Sequence, residues 1–176
     1  MRNCLRTAIA AGLLLTAPAA ALAQEGMPTM MANVINATGA AIGTVSFTQT
    51  PSGMVLIALD IADLEPGVHG LHIHETGQCD AADGFKSAGG HYSGGMEHGV
   101  LSEGGPHAGD LPNVTVGADG TLVMEIFTDR ISVAADGENP LGDEDGSAIM
   151  IHSGADDYQS QPAGDAGSRI ACGVIE

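Results

Sequence analysis

Short runs of alternating or β-branched apolar residues recur along almost the whole chain, and helical periodicity is nearly absent beyond its first two dozen residues. The pattern predicts strands over Met30–Asn36, Ala41–Gln49, Met54–Ile61, Gly70–Glu75, Asn113–Val116, Thr121–Thr128, Ala148–His152 and Ser168–Ile175, separated by clusters of Gly, Pro, Asp and Asn. "FTQTPSGMV" and "VGADGTLV" read as hairpin turns between them. Eight short strands with turn signals make an all-β sandwich or barrel. Two Gly-rich gaps break the rhythm, Thr76 to Pro112 and Ser153 to Gly167. Connections of that length in a small domain carry function or are flexible.

The N-terminus belongs to a different argument. Arg2 and Arg6 form a basic region, Ala8 to Ala17 an apolar core too short to span a bilayer, and Ala21-Leu22-Ala23 a small-residue cleavage site. Residues 1–23 therefore read as a secretory signal peptide, leaving one domain over 24–176 and a periplasmic or secreted location. Cys4 leaves with the signal, so only Cys79 and Cys172 remain, and an even pair in an exported chain reads as a disulfide. Loss of Arg2 and Arg6 leaves three of the five basic residues, Lys86, Arg130 and Arg169, against 22 acids, a net charge near −19. That charge argues strongly against nucleic acid and anionic membrane as partners, and no Trp with only five other aromatics argues against a base-stacking platform.

Within "GLHIHETGQC", His72 and His74 share one face of a strand while Leu71, Ile73 and Glu75 share the other. Alone, such a pair is a solvated face more often than a ligand pair. The other histidines change that balance: His91, His98 and His107 fall in the first gap with Asp110, and His152 ends a strand just before the second. A loop poor in apolar residues needs another tether, and a metal supplies one.

"GLHIHETGQC", "SAGGHYSGGMEHGVLSEGGPHAGDLPNV", "IHSGADD" and "GDAGSRIACGVI" together resemble the copper/zinc superoxide dismutase family, in its bacterial exported branch, over about Asn33 to Ile175. The family is a known case of sandwich architecture, and the resemblance implies an eight-stranded antiparallel Greek-key barrel or sandwich with two long functional loops. It implies copper ligands at His72, His74, His91 and His152, and zinc ligands at His91, His98, His107 and Asp110. Two four-ligand sites need eight positions where six histidines and one aspartate supply seven, so one imidazole serves both metals, which the family assigns to His91. Asp156 resembles the carboxylate that bonds the far nitrogens of a copper and a zinc histidine, here His72 and His98. Arg169, three residues before Cys172, resembles the active-site arginine, and the Cys79–Cys172 bridge would tie the first loop to its strand. His69 matches a structural histidine that bonds backbone, and the Met27, Met30 and Met31 cluster reads as a terminus leading into the first strand.

The implied reaction takes superoxide as substrate: one anion reduces Cu(II) and leaves as dioxygen, and a second, with two protons, leaves as hydrogen peroxide. His91 is the implied proton relay. The alternative is a periplasmic copper/zinc-buffering protein of the same fold, which would need neither the arginine nor a bridging histidine. A homodimer is compatible with either. Family members commonly carry lysines near the channel, whereas the loop over Ser153 to Gly167 holds Asp156, Asp157 and Asp165 and no lysine.

Overall fold

A computed structural model describes residues 26–176, so the signal peptide expected over residues 1–23 lies outside the described residues. Nine strands form: β1 Thr29–Asn36, β2 Ala41–Gln49, β3 Val55–Ile61, β4 Gly67–His69, β5 Leu71–His74, β6 Val114–Val116, β7 Leu122–Thr128, β8 Ser147–His152 and β9 Arg169–Ile175. All pairings between them are antiparallel. Seven strands make one curled sheet in the order β5-β8-β9-β1-β2-β3-β7, and β4 pairs with β6. The connections from β3 to β4 and β5, and from β7 to β8, pass between strands that are not sheet neighbours, which gives the Greek-key crossing.

The strand absent from the sequence reading is β4. Gly70 interrupts what would otherwise be one strand, because its N–H donates to Gly154 O and its carbonyl accepts from His152 N–H. The chain there leaves the β6 ladder and turns towards the second long loop. The first expected hairpin forms between β2 and β3. At the second a turn forms, closed by Gly117 N–H to Thr121 O with Gly120 at φ 80°, but no hairpin: β6 pairs with β4 and β7 with β3, so this turn carries the chain from one sheet to the other.

Alternation explains the core. In β3, Val55, Ile57, Leu59 and Ile61 point inward, and in β7 Leu122, Ile126 and Thr128 do, leaving Val123 and Phe127 outside. Leu71 and Ile73 join the same barrel core. All six residues of β8 are buried, since both of its faces are covered. Ile149 and Ile151 face the barrel core, whereas Ala148 and Met150 pack outside it against Phe85, Ala88 and Cys172.

That outer cluster gives the first long loop an apolar tether in addition to any metal. The first long loop folds into two single-turn 3-10 helices, Ala81–Asp83 and Lys86–Ala88, and inserts Phe85 between them at 0% exposure. Burial of one such ring contributes roughly 1.5–3 kcal/mol. The disulfide joins Cys79 of this loop to Cys172 of β9, 93 residues away. A third long connection, residues 129–146, joins β7 to β8 beside the two expected gaps. Leu141 and Ile131 hold it to the core, and Gln49 Oε1 accepts from Val133 N–H. Among the described residues no helix is long and apolar enough to cross a membrane.

Candidate metal centre

The outer face of β5 carries the site. His72 pairs across β5–β8 with Met150, and the free edge of β5 is covered by the first long loop through Ile73 N–H to Gly109 O, Tyr92 N–H to Ile73 O and Leu111 N–H to Leu71 O. Isolated bridges His72–Asp110 and His74–His91 bring the loop residues level with the strand pair. His72 and His74 are consequently 0% and 1% exposed, so the solvated-face reading does not hold. Glu75, of the same parity as Leu71 and Ile73, escapes burial at the strand end, where its Oε1 accepts from Gly90 N–H.

The six histidines His72, His74, His91, His98, His107 and His152 gather with Asp110 into one continuous buried cluster in two neighbourhoods. Ligand-capable atoms of His74, His91 and His152 lie within 4.8 Å of one another, as do those of His72, His91, His98 and Asp110. The His72 ring is 4.0 Å from that of His91, between the two groups, and His107 Nδ1 lies 3.3 Å from Asp110 Oδ1.

Each ring's second nitrogen shows which atom it presents. His74 Nδ1–H donates to Gly89 O at 3.1 Å and His152 Nδ1 faces Gly167 O at 3.5 Å, while His72 Nε2–H donates to Asp156 Oδ2 at 2.8 Å. The opposite nitrogens, His74 Nε2, His152 Nε2 and His72 Nδ1, are then lone pairs, and together with His91 Nε2 they are buried without any hydrogen-bond partner among the described residues. Buried polar atoms are nearly always satisfied, so four adjacent orphans need a ligand. Four imidazole nitrogens are a donor set suited to copper.

The second neighbourhood poses a different problem. His98 Nε2–H donates to Asp156 Oδ1 at 3.1 Å, which leaves its Nδ1 as a lone pair aimed at Asp110 Oδ1 from 3.0 Å. His91 Nδ1 lies 3.1 Å and His107 Nδ1 3.3 Å from the same oxygen, and the two nitrogens are 3.4 Å apart. The His98 lone pair facing an anion is repulsive unless a cation sits between them, and a cation there also relieves the crowding of the other two ring nitrogens. Four-coordinate zinc with bonds of about 2.0–2.1 Å has ligand–ligand edges of about 3.3–3.4 Å, close to these separations.

Protonation is preset for metal. Burial, then the fields of His91 and Arg169, pushes His74 down to about 2, and burial with the His72 field pushes His152 down to about 3. Burial also lowers His72 and His107, against the opposing pull of Asp156 and Asp110 respectively. Burial alone would raise the Asp110 carboxyl, but bonds from His91 and Gly99 N–H and the fields of His98 and His107 hold it well below the usual carboxylate range. These four rings are neutral and the Asp110 carboxylate ionised at neutral pH, the states a metal requires.

Arg169 donates through its two terminal nitrogens to Phe85 O at 2.5 Å and Gly89 O at 2.6 Å. Neutral carbonyls thus orient the guanidinium, and it forms no ion pair among the described residues. Phe85 presents its carbonyl from a left-handed backbone, φ 63°. Gly89 O accepts from both Arg169 and His74, which ties the arginine to the histidine pair. His152 lines one wall of an open cleft of ≈ 400 Å³ with Pro162, Asp165 and Gly167. His69 lies apart, with Nδ1 on His152 O at 2.7 Å and Nε2 on Glu65 O at 2.9 Å.

Two clasps were not legible in the sequence. Asn113 Nδ2 donates to Asp156 O and its Oδ1 accepts from Asp156 N–H, both at 2.8 Å. Gln161 does the same to the backbone of His98, at 2.8 and 3.0 Å. The Gln161 clasp joins the second long loop to the first, and the Asn113 clasp joins it to the residue between the first loop and β6, across sequence separations of 63 and 43 residues. Neither amide carries a type-level signal.

The family model for copper/zinc superoxide dismutase (SODC) matches residues 41–175. "Superoxide dismutase [Cu-Zn] 1" of Aquifex aeolicus is 44% identical over 147 residues, covering 82% of this chain and 86% of that one. A crystal structure of a SOD-like protein from Bacillus subtilis superposes with a TM-score of 0.79 at 38% identity, covering 83% of this chain and 97% of that one. The Cu/Zn superoxide dismutase from Brucella abortus does so with a TM-score of 0.66 at 32% identity, covering 84% and 99%. With its outer-wall histidine cluster, its disulfide and these relatives, the chain belongs to the copper/zinc superoxide dismutase family.

Proposed function

We propose that this chain is an exported superoxide dismutase, delivered by residues 1–23 and folded over 24–176, that converts two superoxide anions and two protons to dioxygen and hydrogen peroxide. His72, His74, His91 and His152 would hold copper, and His91, His98, His107 and Asp110 would hold zinc. The observation that carries the reading is the set of four partnerless buried nitrogens beside three ring nitrogens crowded onto one carboxylate oxygen.

When bound, copper supplies a one-electron couple and zinc a fixed positive charge. The chain's own residues do the rest. Arg169, its terminal nitrogens anchored on two carbonyls, presents an uncompensated charge that binds the anion by charge-assisted hydrogen bonds. His91 Nε2 is the atom at which a proton is taken up and delivered, while its Nδ1 stays in the Asp110 corner and keeps the ring in place. Asp156 fixes the tautomers of His72 and His98 with one oxygen on each ring. Arg169 and the shared His91 also separate this reading from metal buffering, which requires neither.

The test is metal analysis of the purified mature chain alongside superoxide decay with and without a copper chelator. His152→Ala should abolish superoxide removal and leave zinc bound. Retained activity would refute the copper assignment.

A further inference from the structure

Arg130 is one of three basic residues in the described chain, and nothing about it suggests a surface ion pair. Its side chain is only partly exposed, its Nε is buried with no hydrogen-bond partner, and it forms no ion pair among the described residues. In a chain with 22 acids, a cation kept off every carboxylate is placed for another purpose. Its one side-chain bond is from a terminal nitrogen to the main-chain carbonyl of Asp110, at 2.5 Å.

Asp110 is the residue on whose Oδ1 the three histidine nitrogens converge. Its other oxygen, Oδ2, accepts from Gly99 N–H at 2.8 Å and His107 N–H at 2.9 Å, and its own N–H donates to His107 O at 3.3 Å. Every one of these partners belongs to the same long loop. The residues on either side are tied to β5 by Ile73 N–H to Gly109 O and Leu111 N–H to Leu71 O, but the Asp110 carbonyl itself is held by Arg130. It stands two residues past the end of β7, with its N–H on Thr128 Oγ1 at 3.3 Å and its carbonyl accepting from Asn139 Nδ2 at 2.9 Å. The next residue, Ile131, is 2% exposed in the barrel core. The base of the side chain is therefore fixed to the barrel wall and its tip to the loop.

The surroundings leave this contact little support. Asp129 and Arg130 line both a cleft of ≈ 370 Å³ towards Leu101, Leu111 and Phe127 and a second of ≈ 290 Å³ towards Met96 and Pro106. Between two open clefts, the guanidinium is the polar bridge from the end of β7 to the Asp110 turn.

We propose that Arg130 is a positioning residue for the zinc corner: it holds the Asp110 carbonyl against β7 so that Oδ1 stays aimed at His91, His98 and His107. The inference rests on the zinc assignment above. It predicts a defect in zinc retention that spares the four-nitrogen group, because His72, His74 and His152 are held by Asp156, Gly89 and Gly167 and not by β7.

The test uses the purified metal-loaded protein with Arg130→Met, which keeps the apolar stem and removes the donor, and Arg130→Lys, which keeps the charge and one donor. Zinc and copper retention are measured by chelator competition in the same samples. The methionine variant should lose about 10- to 100-fold in zinc affinity, the range for a group that orients a metal ligand. Copper affinity should change by less than about threefold on the same reasoning, and lysine should recover part of the zinc loss. Parental zinc affinity in the methionine variant overturns the proposal, and so does a proportional loss of both metals, the mark of general loosening. If the methionine variant does not fold, the lysine variant is read against the parent: a selective zinc loss supports the proposal, and none overturns it. His107→Ala separates the two levels of the argument, since zinc kept at full affinity there would refute the zinc corner itself.

Discussion

Stripping the metals should make this protein acid-labile well above the pH at which its carboxylates titrate. His74 and His152 sit at 1% and 4% exposure with their protonation pushed down to about 2 and about 3, mainly by burial. In the unfolded chain both titrate at about 6.5. For a histidine whose folded value is depressed, the unfolded state binds more protons below about pH 6.5, so stability is complete above that point and falls with pH until the folded value is reached. Between about pH 7 and about pH 5 each ring that stays neutral loses roughly 2 kcal/mol, and the two together about 4 kcal/mol. Set against a typical total of about 5–15 kcal/mol, that loss is large. His72 and His107 shift in the same direction and add to it. Asp110 and Asp156 do not contribute in this window: their folded values are lowered, so their stabilisation persists above about pH 4 and is lost only below it. Relief of the acidic self-repulsion acts oppositely but equally on variants. The assay is urea unfolding of the metal-free, disulfide-intact protein at about pH 7 and about pH 5, compared with His74→Gln/His152→Gln. The double variant should show about 4 kcal/mol less pH dependence on the linkage argument. Identical pH dependence in the two proteins would refute the claim that these rings are buried neutral.

Asp156→Asn should weaken both metals by about 10- to 100-fold, because an amide cannot accept from His72 and His98 at once; chelator competition showing less than a threefold change at either metal would contradict the bridge. Cys79→Ser/Cys172→Ser opens a loop of 93 residues and should cost about 4–5 kcal/mol in the chain-entropy model, with unchanged unfolding midpoints as the contrary result. The rate of superoxide removal should fall as ionic strength rises, since Arg169 and the metal charges focus an anion against a net charge of −17 for the whole chain. A flat or rising profile would mean that Asp157 and Asp165 dominate the approach.

Residue types and period-2 alternation carried much of the fold. The inward parity of Val55, Ile57, Leu59 and Ile61 and the outward parity of His72 and His74 follow from the pleat alone, and the structure keeps both. The strand β4 was hidden because Gly70 departs from the ladder through bonds to His152 and Gly154, partners more than 80 residues away that no local window contains. Phe85 was hidden for a related reason: a lone aromatic in a Gly-rich stretch shows no periodicity, and only the outer face of β8 gives it somewhere to be buried. Arg130 did leave a trace, as one of three Lys or Arg residues beyond residue 23 of an acidic chain.

By itself, then, the sequence determined the supply of ligands: which imidazoles and carboxylate exist, which strand face two of them take, and that Cys79 and Cys172 are available to pair. The tertiary structure alone decided which nitrogen each ring offers. That choice depends on what holds the opposite nitrogen, and for His72 the holder is Asp156, 84 positions away; for His98 it is the same carboxylate. Either nitrogen of a ring can carry the proton until a neighbour fixes which, so how seven residues would divide between two metals is a matter of packing rather than of residue type.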